Sequence, residues 1–292
     1  MEMRAKLAGL TLVLGLSAGM CAAQDEPRTA GPQGSADYSS VYCSGFVGER
    51  ISDETRVISG EHSDYKVVFE QGDYVYINRG AEKGIKVGDR FSVARMEPEL
   101  RGREWFHEQK KLTRAMGTTY SDIGTVRVVN VQPNVAIAQV EFSCEYVQRG
   151  DILRAFVERP IPALKDPTTF DHFAPVNGKK MATIVSTRGT PQMLGKNNTV
   201  YVNLGNSQNV KVGDYFRIFR YQGSRGNAVP ETKGSQYMVY GFGGSPARYE
   251  GKDLPREIVG EGVVLNASAN SSTVLITRSS SEIFTGDYVE LE

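Results

Sequence analysis

Val75-Tyr76-Ile77-Asn78-Arg79-Gly80, followed by Lys86-Val87-Gly88-Asp89-Arg90-Phe91, returns later in the chain as Val200-Tyr201-Val202-Asn203-Leu204-Gly205 and Lys211-Val212-Gly213-Asp214-Tyr215-Phe216. The offset is 125 residues throughout, Arg95 and Arg220 close the blocks in register, and ten of 21 aligned positions are identical. A fixed period of this kind marks a repeated structural unit. Further matches follow at an offset of 136: Ile123-Gly124 with Val259-Gly260, Val128 with Val264, Asn130 with Asn266, and Gly150-Asp151-Ile152 with Gly286-Asp287-Tyr288. The offset grows by 11 because the central connector is longer in the second copy.

The repeated phrases read as strands and turns. Tyr74 to Ile77 and Phe91 to Ala94 are rich in β-branched and aromatic residues. Gly88-Asp89 and Gly213-Asp214 precede apolar strands. There, Gly admits positive φ and the Asp side chain can hydrogen-bond nearby backbone. Gly124 to Val129 and Val135 to Val140 form a hairpin pattern around Gln132-Pro133-Asn134. Gly260 to Leu265 and Ser272 to Thr277 repeat it. Short strands at this spacing suit a small barrel, which also removes the open edges of a small sheet. The expectation is an all-β protein: two tandem β-barrel-like modules, residues 41–155 and 181–292. Residues 156–180, with Pro160, Pro162, Pro167 and Pro175, read as a stiff Pro-rich linker between them.

The N-terminus reads as a targeting signal. Arg4 and Lys6 precede a mostly apolar stretch, Leu7 to Ala18, too short for a resident span. Small residues before Gln24 place cleavage after Ala23, giving a signal peptide over 1–23. Lipid anchoring through Cys21 is the alternative. Residues 24–40 are small and polar and read as a disordered start to the mature chain. Cleavage after Ala23 leaves Cys43 and Cys144, an even pair that oxidising compartments join as a disulfide; two buried thiols are the alternative. A loop of this length is expected to stabilise the fold by about 4–5 kcal/mol. No other apolar run approaches the ~20 residues of a transmembrane helix.

Lys+Arg and Asp+Glu both number 34, and no basic block stands out, so nucleic-acid binding is not expected. The three histidines, His62, His107 and His172, are isolated and offer no metal-ligand spacing. Neither a nucleophile elbow nor a phosphate loop occurs, and no cofactor is expected. Asp89, Asp151, Asp214 and Asp287 recur after glycine in both copies, which fits turn caps better than one active site. Asn78 and Asn203 are read the same way, each fixing the turn that follows it.

The central insertions differ between the copies. The first, Glu97 to Met116, carries Trp105 and Phe106 among basic residues and could form a short helix. The second, Tyr221 to Arg256, carries Tyr237, Tyr240, Phe242 and Tyr249. Aromatics on such loops suit partner contacts, or they cap their own barrels.

The phrase Val-Tyr-x-Asn-x-Gly followed by Lys-Val-Gly-Asp-x-Phe resembles the C-terminal module of the flagellar assembly protein T family. It also resembles the β-rich modules that follow LysM domains in bacterial envelope proteins, and Leu254 to Glu261 resembles a phrase of those tails. The resemblance implies an exported, non-catalytic envelope protein, periplasmic or secreted, that acts as a structural or protein-interaction module. Its expected partner is another envelope protein. Binding of peptidoglycan or another polysaccharide is the alternative.

Overall fold

The computed structural model describes residues 34–98, 104–165, 171–189, 191, 193–221 and 255–292. Residues 33–292 belong to one compact unit. The expected signal peptide lies outside the described residues, as does most of the second insertion.

A short helix, α1 (Tyr38–Tyr42), leads into β1 (Phe46–Gly48), β2 (Val57–Gly60), β3 (Val68–Phe69), β4 (Tyr74–Ile77) and β5 (Arg90–Met96). Helix α2 (Gln109–Met116) precedes β6 (Thr118–Val131), β7 (Ala136–Ser143), β8 (Val147–Gln148) and β9 (Ile152–Ala155). The second half contributes β10 (Met181–Thr187), β11 (Thr199–Val202), β12 (Tyr215–Tyr221), β13 (Arg256–Ala267), β14 (Ser272–Ser279) and β15 (Tyr288–Leu291). The fold is all-β with barrel-like halves. Among the described residues, no helix is long and apolar enough to cross a membrane.

The first half forms a curled sheet in the order β2-β4-β7-β6-β5-β9, with β1 added against β6. The second forms a closed barrel in the order β10-β11-β14-β13-β12-β15. Taken strand for strand, the two orders are the same. In the barrel, β10 and β15 close the ring, with Ile184 N donating to Asp287 O and Gly286 N to Ile184 O. The first sheet is not closed by paired strands; its edges meet only at a smaller seam, where Val57 N donates to Asp151 O at 2.9 Å and Gly150 N to Val57 O at 2.8 Å.

Alternation sets the inner faces. Ala136, Ala138 and Val140 of β7 point inward with Val75 and Ile77 of β4, whereas Ile137 and Gln139 are only partly buried. The barrel core includes Val200, Val202, Phe216, Ile218, Val264, Val274 and Ile276. Strand β14, by contrast, is buried on both faces over Ser272 to Ile276. Its outward Leu275 packs with Val263 and Leu265 of β13 against Ala36, Val41 and Tyr42. The barrel's outer wall is thus covered by the segment that begins the described chain.

That segment corrects the expectation of disorder over 24–40, of which 34–40 are described. Ser35 bridges Ala163, Ala36 N donates to Pro162 O at 3.0 Å, and Leu164 N donates to Gly34 O at 2.7 Å. Small side chains let residues 34–36 lie close along the Pro-containing connector, whose carbonyls still accept hydrogen bonds. The connector itself is packed down. Phe156 stacks on Tyr42, and Arg159 N donates to the Tyr42 hydroxyl.

Glu141 of β7 clamps the sheet. It accepts from Arg90 of β5 at 2.7 Å and also from Arg127 of β6. Burial alone would raise its pKa, but the hydrogen bonds from Arg127 and Arg90 outweigh this and hold it below the usual carboxylate range. A lowered folded-state pKa contributes stability that is present at neutral pH and lost as pH falls through the carboxylate range. Glu141→Gln should therefore cost about 0.5–1 kcal/mol at pH 7, a small figure because solvent screens the pair. Urea unfolding should show that cost fading only as pH falls below the usual carboxylate range. A cost independent of pH would contradict the assignment.

Candidate functional site

Asp89 and Asp214 each accept the backbone N–H three residues earlier, from Lys86 at 2.9 Å and Lys211 at 2.8 Å. Asp151 and Asp287 do the same with Gln148 and Phe284. Each of these two is also held by two hydrogen bonds from one arginine, Arg95 on Asp151 at 2.8 and 2.9 Å and Arg220 on Asp287 at 2.8 and 2.6 Å. Gly88 and Gly213 have φ of +93° and +91°, which glycine adopts at little cost. Every one of these carboxylates is occupied by its own turn. Among the described residues, no group of three His, Cys, Asp or Glu side chains is placed to hold a metal ion.

Asn78 and Asn203 behave differently from the sequence expectation. Asn78 Oδ1 accepts from Arg56 N at 2.8 Å, and Asn203 Oδ1 from Thr183 N at 2.7 Å. They pin the neighbouring strand and do not cap the turn that follows. That turn needs its glycine for space: a Cβ on Gly80 or Gly205 would lie 2.1 or 2.2 Å from the carbonyl oxygen of Gln132 or Ser268.

The disulfide joins Cys43, at the end of α1, to Cys144, just after β7, with Cα atoms 5.5 Å apart. It anchors the residues that lie between the sheet and the barrel. On one side, β1 pairs with β6 through Phe46↔Tyr120, Val47↔Thr119 and Gly48↔Thr118. On the other, three barrel side chains donate to its backbone carbonyls: Tyr201 to Ser44 at 2.9 Å, Thr273 to Gly45 at 3.2 Å and Ser271 to Val47 at 2.6 Å. Buried carbonyls without partners are costly, and these donors satisfy them; Gly45 O accepts from Ser44 Oγ at 3.1 Å as well. Tyr201 is 1% exposed, and burial pushes its phenol pKa upward, so it remains a hydrogen-bond donor at neutral pH.

Beneath this segment lies a buried ion pair. Asp122, 3% exposed, takes two hydrogen bonds from Arg159, each 2.7 Å, and one from Gly45 N at 3.0 Å. Arg159 also donates to Val41 O at 3.0 Å. The pair thus ties the connector, β6 and the segment together.

The first insertion also reaches the barrel. Gln109 of α2 is 2% exposed and its Nε2 donates to Val185 O at 2.8 Å. Leu112 and Met116 pack with Val47, Val185 and Tyr201. Phe106 lies against Gly286, where an added Cβ would come within 3.2 Å of its ring. Trp105 is 39% exposed. Of the aromatics expected to meet a partner, Phe106 therefore faces the second half of the same chain, and Trp105 faces solvent. Tyr237, Tyr240, Phe242 and Tyr249 lie outside the described residues.

A cleft of about 510 Å³ opens at the edge of this junction. Arg95, Glu97, Ser121 and Glu145 line it from the sheet, and Arg188 and Asn198 from the barrel. Glu145 stands 3.8 Å from Arg95 and 3.7 Å from Arg188, so ionic contact across it is loose. The junction as a whole escaped sequence reading. Its one signal was Cys43, which sits inside it.

No curated protein matches the chain. Residues 72–155, the part of the curled sheet from β4 to β9, match the model of the family described as flagellar assembly protein T, C-terminal domain.

Proposed function

We propose that the chain is an exported, non-catalytic component of bacterial flagellar assembly, working in the periplasm as a rigid scaffold that other envelope proteins contact. The observation that carries this reading is the match of residues 72–155 to the flagellar assembly protein T C-terminal domain. The Cys43–Cys144 disulfide is compatible with an oxidising compartment. The reading treats residues 41–155 and 181–292 as two copies of one module joined by residues 156–180. The shared strand order and the equivalent Arg95–Asp151 and Arg220–Asp287 pairs support that. Repetition of the Gly-Asp carboxylates in both copies, each bound by its own turn, supports a structural role for them over a catalytic one. Trp105 and Tyr237, Tyr240, Phe242 and Tyr249 are the proposed partner contacts, because the insertions are where the copies differ.

Removing the gene from its native host tests this. The expected result is loss of swimming, restored by the intact gene, with the protein recovered in the periplasmic fraction. Normal swimming with intact basal bodies would overturn the flagellar reading. Sedimentation with purified sacculi that disappears when Trp105 is replaced would favour a cell-wall binder instead.

A further inference from the structure

We propose that the Cys43–Cys144 disulfide is a clasp whose redox state decides whether the sheet and the barrel behave as one body. The disulfide does not join the two halves to each other. It ties the intervening segment, residues 41–48, to the sheet, and the segment is what the barrel grips through Tyr201, Ser271 and Thr273. Gly45 is the tight point. Its φ is +67°, and a Cβ there would lie 2.4 Å from the Tyr201 hydroxyl oxygen. A segment fitted this closely can be gripped only while it is held in place. Direct contact between sheet and barrel elsewhere is limited. Among the described residues it runs through α2 and Phe106, through the loose Glu145–Arg188 pair beside the open cleft, and along the connector, where Phe156 and Leu164 pack with Phe142 at the barrel wall and Lys165 N donates to the Tyr215 hydroxyl.

The bond is placed to respond to its surroundings. Cys43 is buried but Cys144 is only partly so, which leaves the bond one open side, and the next residue, Glu145, is exposed and contacts Arg188 of the barrel. A dithiol reductant can attack such a sulfur, and accessible disulfides are the labile ones. The exchange is balanced: the reductant's two thiols become one disulfide, and Cys43 and Cys144 each gain a hydrogen as thiols. Oxidation by a disulfide-donating oxidant reverses it. The closed form is thus assembled after oxidation, and reduction frees the segment without touching either core.

Hydrogen exchange of the full mature protein, oxidised and then reduced with dithiothreitol, reads this directly. In the oxidised protein, peptides covering 36–48, 109–116 and 271–275 should exchange in step with β4 and β11; after reduction they should exchange at least about tenfold faster than β4 and β11. The Cys43→Ala/Cys144→Ala variant should show the same pattern without reductant. Unchanged exchange at the junction would overturn the proposal. So would junction and cores that speed up by the same factor, since that is general destabilisation without release of the segment. Neither outcome depends on the flagellar reading, which stands or falls on the motility experiment.

Discussion

The Cys43→Ala/Cys144→Ala variant is expected to unfold in urea with about 4–5 kcal/mol less stability than the oxidised parent. The bond closes a loop with a sequence separation of 101, which restricts the unfolded chain strongly. Two features favour most of that figure being realised. The bond joins positions that the fold already brings together, with α1 seated against the barrel and Cys144 N bonded to Ile123 O at 2.8 Å. Removing it also weakens the hold on a segment whose carbonyls are bonded to the barrel. Reduction of the parent should give the same loss. A difference below about 1 kcal/mol would mean that the unfolded chain is already compact around these residues, or that the segment holds its place unaided.

Asp122→Ala is expected to cost about 3–5 kcal/mol in the same measurement. The carboxylate accepts from Arg159 twice and from Gly45 once, so its loss leaves a buried guanidinium and a buried N–H without their acceptor. Arg154 lies 3.8 Å from Asp122, and the two arginines would then repel each other with no acid between them. A second substitution separates the cost of the broken pair from the worth of the pair itself. Arg159→Met in the Asp122→Ala background removes the stranded charge and should recover part of the loss. A single-variant cost under about 1 kcal/mol would show that water reaches the pair and solvates Arg159.

Both effects fall on residues that sequence reading valued unevenly. The strands, the Gly-Asp turns and the short helix of the first insertion were legible because their causes are local. β-branched and aromatic runs set the strands, and Asp89 bonds a backbone group three residues away. Cysteine parity suggested the disulfide without any knowledge of shape. The junction was not legible, because its parts are far apart in sequence. Gly34, Ser35 and Ala36 look like a loose tail until Ala163 and Pro162 lie beside them. Asn78 looked like the cap of its own turn, yet its partner is Arg56, 22 residues away. Tyr76 and Tyr201 occupy the same place in the repeated phrase, but only Tyr201 is fully buried. The repeat specifies a tyrosine at this place. The packing of the N-terminal segment against the barrel wall decides what Tyr201 does there.

The proposed scaffold role requires the relative placement of the sheet and the barrel to be fixed. In this chain the placement is set by the segment lodged between them, by the ion pair beneath it and by α2. Calorimetry of the oxidised protein tests that claim most directly. A single cooperative transition is expected, in which sheet and barrel melt together with calorimetric and van't Hoff enthalpies in agreement. Two separated transitions in the oxidised protein, one for each half, would contradict it.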